Sequence, residues 1–368
     1  MINSIQLQNF KCFENQLISL KPLTLLSGLN NTGKSSLLQS LLLLRQSYHQ
    51  GLLPNQGLAL NGDLVQIGLA QDALYKKNRE NFISFDINWR NGHKSKWIFH
   101  VNLMADVLDI AQEITTAEIY QSNLFADNFH YLNAERLGPR TYIEISDFQF
   151  RKHRQLGTRG EYTAQFLSLY RDEYISHPKL QHPQADSLKI PVQVEAWMGE
   201  VSPGTRLEIQ SLPSLDLVSL QYSYGSSNPD RATNVGFGIS YTLPIIVAVL
   251  GSAPGTLILI ENPEAHLHPR GQAKMGELLA LAASCGMQVI IETHSDHVLN
   301  GIRLAVHGGK LAPQDVQLHF FSKQYQQATE VVSPRIDRNG RIDQWPDGFF
   351  DEWDKSLEVL LEPAVLGE

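Results

Sequence analysis

The chain has 368 residues, 42% of them hydrophobic and 18% charged, with a formal net charge of −8. That balance supplies a sizeable core and excludes disordered, collagen-like and wholly basic classes, so any nucleic-acid contact is confined to a patch. The length points to one large domain with insertions or two modest ones, and the two distant cysteines, Cys12 and Cys285, exclude a disulfide scaffold and a four-cysteine zinc site, in keeping with a reducing cytoplasm.

The first ten residues lack a charged lead followed by an apolar run, so no secretory signal is expected. SIQLQNF (4–10) alternates like a half-buried strand, and LKPLTLLSG (20–28) reads as a buried strand ending in glycine. From Lys34 a run without glycine or proline predicts a helix that stops before Gly51. FISFDINW, the turn Asn91-Gly92 and KWIFHV predict a hairpin. From 102 to about 230, short apolar and polar segments mix without a repeat, which predicts an insertion. Its basic run, RKHRQLGTRG (151–160), reads either as a solvated loop or as a nucleic-acid or partner contact.

Regularity returns after 230. GFGISYTLPIIVAVLG predicts a glycine-led helix, TLILIEN a buried strand, HPRGQAKMGELLALAASCG a helix closed by Gly286, and MQVIIETH a second buried strand. Strand, helix and strand in tandem predict a parallel sheet. Residues 241–260 are apolar over about the length of a membrane span, but Pro244, Gly251, Ser252, Pro254 and Gly255 divide them into helix, turn and strand, so no membrane association is expected. The tail predicts a strand at VQLHFFSK, a turn at Asn339-Gly340 and an acidic helix over 350–362.

The strongest motif is Gly28-Leu29-Asn30-Asn31-Thr32-Gly33-Lys34-Ser35, which fits G-x-x-x-x-G-K-[ST] between a predicted strand and helix. Asn30, Asn31, Thr32, Gly33 and Ser36 supply backbone around phosphates, Lys34 a cation, and Ser35 a Mg²⁺ ligand, so the expected ligand is ATP with Mg²⁺. An acidic residue ending a second buried strand completes such a metal site, and Glu261 is that residue. Asn262 stands where a catalytic glutamate often follows, so Glu264 or Glu261 itself is the candidate general base, with a helix N-terminal carboxylate as the competing role for Glu264. His294, after the next buried strand, is a candidate γ-phosphate contact. His266, His268, His294 and His297, with Glu264 and Asp296, are also the right ligand types for a metal site, though their spacing matches no zinc pattern. Gly236, Gly238 and Ser240 precede an apolar helix and can form a second anion-binding turn. Such a turn is more useful to a partner subunit's nucleotide, which predicts a homodimer.

Taken together, GLNNTGKSS, LILIENPEAHLHP and VIIETHSDHVLNGIRLAV resemble the Walker A, Walker B with D-loop, and switch-histidine regions of ABC-type, AAA-like ATPase heads, the group containing SMC proteins and OLD-family nucleases. YLNAERLGPR, LGTRGEY, EAWMGEVSPG and RNGRIDQWPDGFFDEWDKSLEVLL bring the resemblance closer to ATPases carrying the domain of unknown function 3696. The resemblance implies an α/β P-loop ATPase head. Its lobes span 1–101 and 231–310, a mixed α/β insertion spans 102–230, and a small C-terminal element spans 311–368. It further implies Lys34 and Ser35 at phosphate and Mg²⁺, Glu261 as metal ligand, His294 as γ-phosphate sensor, and Gly236, Gly238 and Ser240 as a signature acting in trans. About sixty residues follow the helix after His297, too few for the OLD nuclease domain, so no nuclease is expected in this chain. Three functions compete: an ATP-driven dimerisation switch for a separate effector, a nuclease or toxin, in anti-phage defence or DNA maintenance; a nucleotide-gated DNA-binding or scaffold protein with little turnover; and a metal-dependent hydrolase built on the histidines, which requires activity that survives Lys34→Ala.

Overall fold

A computed structural model of the chain describes residues 1–77, 80–145, 154–323 and 328–362. In chain order these form β1 (Ile2–Phe10), β2 (Phe13–Ser19), β3 (Leu23–Gly28), α1 (Lys34–His49), β4 (Gly57–Ala59), the single turn α2 (Ala70–Ala73), β5 (Phe82–Trp89), β6 (Lys94–His100) and β7 (Val107–Ile114). The middle adds β8 (Phe129–Leu132), β9 (Ile143–Glu144), α3 (Thr163–Leu169), α4 (Ile190–Val201), β10 (Thr205–Leu212), β11 (Leu217–Tyr224) and β12 (Asp230–Arg231). There follow α5 (Phe237–Leu250), β13 (Leu257–Glu261), α6 (Pro269–Ser284), β14 (Gln288–Glu292), α7 (Asp296–His307), β15 (Val316–Ser322), β16 (Glu330–Val332) and α8 (Glu352–Leu361).

The central sheet runs β16-β15-β3-β14-β13-β8, parallel throughout except for the antiparallel edge strand β16. β14 lies between β3 and β13, so the strand before the glycine loop and the strand ending in Glu261 are not neighbours. All four sequence ranges expected as lobes, insertion and C-terminal element contribute strands to this sheet, because β8 lies within 102–230 and β15 beyond 311.

Both faces of the central strands are covered, which is why they read as unbroken apolar runs. On β13, Leu257 and Leu259 join one core and Ile258 and Ile260 the other; Ile290 and its neighbours Val289 and Ile291 divide the same way on β14. The first core is shared with α1 and an antiparallel sheet, β2-β1-β5-β6-β7-β4. Sandwiched between two sheets, α1 is buried nearly all round, which explains its leucine run. The second core holds α5, α6 and α7 together with α3, α4 and the hairpin β10–β11. That hairpin and β2 were not legible in the sequence, since β10 keeps half-exposed polar residues on its alternating pattern. The predicted β5–β6 hairpin forms, closed by Trp89 N–H donating to the His93 carbonyl at 2.9 Å. Among the described residues no helix is long and apolar enough to cross a membrane.

Candidate functional site

The loop joining β3 to α1 is shaped by its own residues. Gly33 sits at φ 115°, and a Cβ there would fall 2.5 Å from Cys12 Sγ and 2.9 Å from the Phe13 ring, so only glycine lets the loop pass the β1–β2 turn. Asn31, at φ 63°, takes the left-handed conformation that asparagine tolerates. The Thr32 hydroxyl donates to the Leu29 carbonyl at 2.7 Å, and the Thr329 hydroxyl donates to the Thr32 carbonyl at 2.8 Å, tying the loop to the chain beyond β15.

Residues 29–36 line a cleft of about 920 Å³, joined by Lys11, Gln39, Tyr75, Lys76, Lys77 and Lys323. With Lys34, and against Asp72 and Glu292 in the same lining, these four lysines suit a polyanion. They were missed in the sequence because they are scattered across some three hundred positions and belong to no motif.

Lys34 is 3% exposed and folds back on the loop, donating to the carbonyls of Gly28 at 2.9 Å and Leu29 at 2.8 Å, with Glu292 Oε1 at 3.9 Å. Burial holds its ammonium below the ordinary lysine range, and Glu292 opposes that shift. The Ser35 hydroxyl donates to Glu292 Oε1 at 3.0 Å.

Glu292 ends β14. The parallel register sets it beside Glu261 on β13 and Leu26 on β3, so the two carboxylates leave the same face of the sheet. Glu292 is 7% exposed, and its Oε2 accepts no hydrogen bond. Burial, then Glu261, raises its pKa to about 7 against the pull of Lys34 and Ser35. In the sequence Glu292 carries no motif role, and its one signal is a carboxylate closing the apolar run Val289-Ile290-Ile291.

Glu261 is held differently. The Tyr131 hydroxyl donates to its Oε1 at 2.9 Å and the Ala134 N–H to its Oε2 at 3.2 Å, both from β8 and the loop after it. Arg136 from the same loop is 1% exposed and donates to the carbonyls of Glu261 at 2.7 Å and Asn262 at 2.8 Å, clamping a turn in which Asn262 has φ 46°. YLNAERLGPR thus supplies the support beneath Glu261.

Glu264 bridges two loops: its Oε2 accepts from the Thr293 hydroxyl at 2.6 Å and its Oε1 from the His294 N–H at 2.8 Å. It lies in the turn ahead of α6, which begins at Pro269, and both groups it accepts from stand just before Ser295, the N-cap of α7. His294 is exposed, and burial of part of its ring followed by Lys34 lowers its pKa, with Glu264 opposing.

The remaining histidines serve other contacts. His266 packs on Phe237 and Tyr241, His268 caps α6 by accepting from Arg270 N–H at 3.3 Å, and His297 lies 3.7 Å from Asp296. Among the described residues no group of three His, Cys, Asp or Glu could hold a metal ion. At the start of α5, Gly236 lies open, whereas a Cβ on Gly238 would fall 2.5 Å from the His266 carbonyl oxygen and the Ser240 hydroxyl is buried in its own chain. In the basic run, Arg151 lies outside the described residues with its two neighbours, while Arg154 pairs with Glu173 at 2.8 Å and Arg159 with Glu135 at 3.0 Å.

Three family models match this chain. One described as AAA ATPase domain covers residues 1–195, one described as AAA domain, putative AbiEii toxin, Type IV TA system covers 126–300, and one described as Protein of unknown function (DUF3696) covers 311–360. An OLD nuclease of Thermus scotoductus is 23% identical over an alignment of 331 positions that covers 80% of this chain. The chain spans 59% of the length of that relative. Among solved structures, the SMC head bound to the C-winged helix domain of ScpA superposes with a TM-score of 0.54 at 13% identity, covering 91% of this chain and 98% of that one, a likeness of fold. The mixed α/β architecture is that of a P-loop NTPase resembling SMC heads.

Proposed function

The chain belongs to the AAA ATPase domain family, and from that premise we propose that it binds and hydrolyses ATP with Mg²⁺ and uses the nucleotide to close a homodimer that acts on a separate effector. The observation that carries this reading is the glycine loop opening α1, with Lys34 folded over its carbonyls and the Ser35 hydroxyl bonded to Glu292, in a lysine-lined cleft of nucleotide size.

In this reading Asn30, Asn31, Thr32, Gly33 and Ser36 wrap the phosphates with backbone N–H groups, and Lys34 exchanges its loop carbonyls for phosphate oxygens. Mg²⁺ takes hard oxygen donors, keeps several waters and uses one or two carboxylates beside the phosphates. The Ser35 hydroxyl and the unpartnered carboxylate oxygen of Glu292 fit that demand directly, and Glu261, whose oxygens already accept from Tyr131 and Ala134, fits it through a bound water. When bound, the ion would neutralise charge on the β- and γ-phosphates. Glu264 or Glu261 orients the attacking water, and His294, exposed beside Lys34 and Glu264, senses the γ-phosphate. Of the expected signature Gly236, Gly238 and Ser240, only Gly236 is open to reach a partner's nucleotide at the start of α5, since Gly238 packs against the His266 carbonyl and the Ser240 hydroxyl is buried in its own chain.

The division into lobes 1–101 and 231–310, insertion 102–230 and C-terminal element 311–368 assigns the last two ranges to the effector. A nuclease or toxin is supported by the names attached to the matched relatives, and a setting in anti-phage defence or DNA maintenance by the same resemblance. Asn262, following Glu261, favours a second reading, a nucleotide-gated scaffold or DNA binder with little turnover. Phosphate release with and without DNA separates the two. A saturable rate lost in Lys34→Ala and insensitive to DNA supports the switch; ATP-dependent DNA retention without turnover supports the scaffold.

A further inference from the structure

We propose that Glu292, at the end of β14, is the carboxylate that directly holds the nucleotide's divalent cation together with Ser35, with Glu261 acting behind it as an oriented, hydrogen-bonded neighbour. The inference rests on the ATP reading and deepens it.

The argument compares two carboxylates on one sheet face. Glu261 and Glu292 are register partners on adjacent parallel strands, yet β14 is the strand adjoining β3, so Glu292 is one strand nearer the glycine loop. Both oxygens of Glu261 are engaged, one by the Tyr131 hydroxyl and one by the Ala134 N–H. Glu292 instead spends one oxygen on the Ser35 hydroxyl, itself a candidate cation ligand, and leaves the other buried without a partner. A carboxylate oxygen removed from water without a hydrogen bond is costly, and such a group persists where a ligand completes it. The nearby Lys34 ammonium, at 3.9 Å, is bonded to loop carbonyls and does not reach hydrogen-bond distance. An oxygen-binding dication beside Ser35 satisfies Oε2, and Mg²⁺ binding with few carboxylates plus phosphate matches the absence, among the described residues, of a three-ligand protein cage.

The test is ATP affinity of the full chain by calorimetry, in Mg²⁺ and in EDTA, for wild type, Glu292→Gln, Glu292→Asp, Glu261→Gln and Lys34→Ala. In wild type Mg²⁺ is expected to tighten ATP binding by about ten-fold or more. In Glu292→Gln that enhancement shrinks to less than about three-fold while affinity in EDTA is unchanged or tighter, since an anion facing the phosphates is gone. Glu292→Asp restores part of the enhancement, and Glu261→Gln retains most of it. Full Mg²⁺ enhancement in Glu292→Gln, or its loss in Glu261→Gln alone, overturns the assignment; so does a wild type whose Lys34-dependent ATP binding ignores Mg²⁺. ATP binding that is absent from wild type, or unaltered in Lys34→Ala, instead removes the glycine-loop reading itself, and the assignment with it. Should Glu292→Gln not fold, the Glu292→Asp and Glu261→Gln comparison decides.

Discussion

Among the buried polar side chains, Arg136 shows how a single residue supports a site it does not enter. Its guanidinium spans two carbonyls of a turn whose backbone at Asn262 is left-handed, while burial lowers its pKa to about 10 with Glu264, Tyr241 and Glu261 opposing. Removing the donors orphans those carbonyls and leaves a cavity. Arg136→Met is therefore expected to lose about 2–3 kcal/mol in urea unfolding and to weaken ATP turnover together with stability; a loss under about 0.5 kcal/mol would show that the turn holds without it. Lys34→Ala has the opposite profile. Its ammonium is satisfied by loop carbonyls that solvent can reach once it is gone, so stability changes by less than about 1 kcal/mol while ATP affinity falls by about a hundred-fold, as separate unfolding and calorimetric measurements would report.

At the scale of elements, the close approach of α5 to the turn before α6 depends on Gly238. A Cβ at 2.5 Å from the His266 carbonyl forces the two backbones apart, so Gly238→Ala is expected to cost about 1–3 kcal/mol by overpacking, measured by chemical unfolding of the nucleotide-free chain. Gly236, with nothing within 4 Å of its notional Cβ, gives the control: Gly236→Ala should leave stability within about 0.5 kcal/mol, and any loss of ATP-dependent assembly in it reports on the start of α5 and not on packing. α8 is the contrasting element. It has no buried residue, and Trp353, Leu360 and Leu361 are exposed. Leu360→Lys with Leu361→Lys is expected to leave the unfolding free energy within about 0.5 kcal/mol, because no core contact is lost; a drop of about 2 kcal/mol would place α8 within the cooperative unit.

For the whole molecule, the proposed switch predicts that light scattering in Mg-ATP reports a larger assembly than without nucleotide, most clearly in Glu264→Gln or Glu261→Gln, where slowed hydrolysis holds the closed state. A mass that never changes while ATP binds would mean that closure is not nucleotide-driven, and a chain monomeric throughout would end the proposal that α5 serves a partner's nucleotide. Two cores sharing one central sheet make the molecule suited to such a role, since the glycine loop is seated on the antiparallel-sheet side and α5 on the helical side.

The sequence by itself determined the strands and helices whose periodicity is strong: β3 with its glycine loop and α1, and the run α5, β13, α6, β14, α7, because buried parallel strands and long helices carry local patterns that glycine and proline punctuate. It also singled out Lys34, Ser35, Glu261, Glu264 and His294 as candidate positions for the chemistry. Only the tertiary structure decided what those groups touch. The strand order that inserts β14 between β3 and β13 is set by how two apolar faces are covered, and no local pattern encodes it. That order brings Glu292 to Ser35, passes Glu261 to Tyr131 and Ala134, and turns Glu264 toward Thr293 and His294, contacts between residues 29 to 257 positions apart.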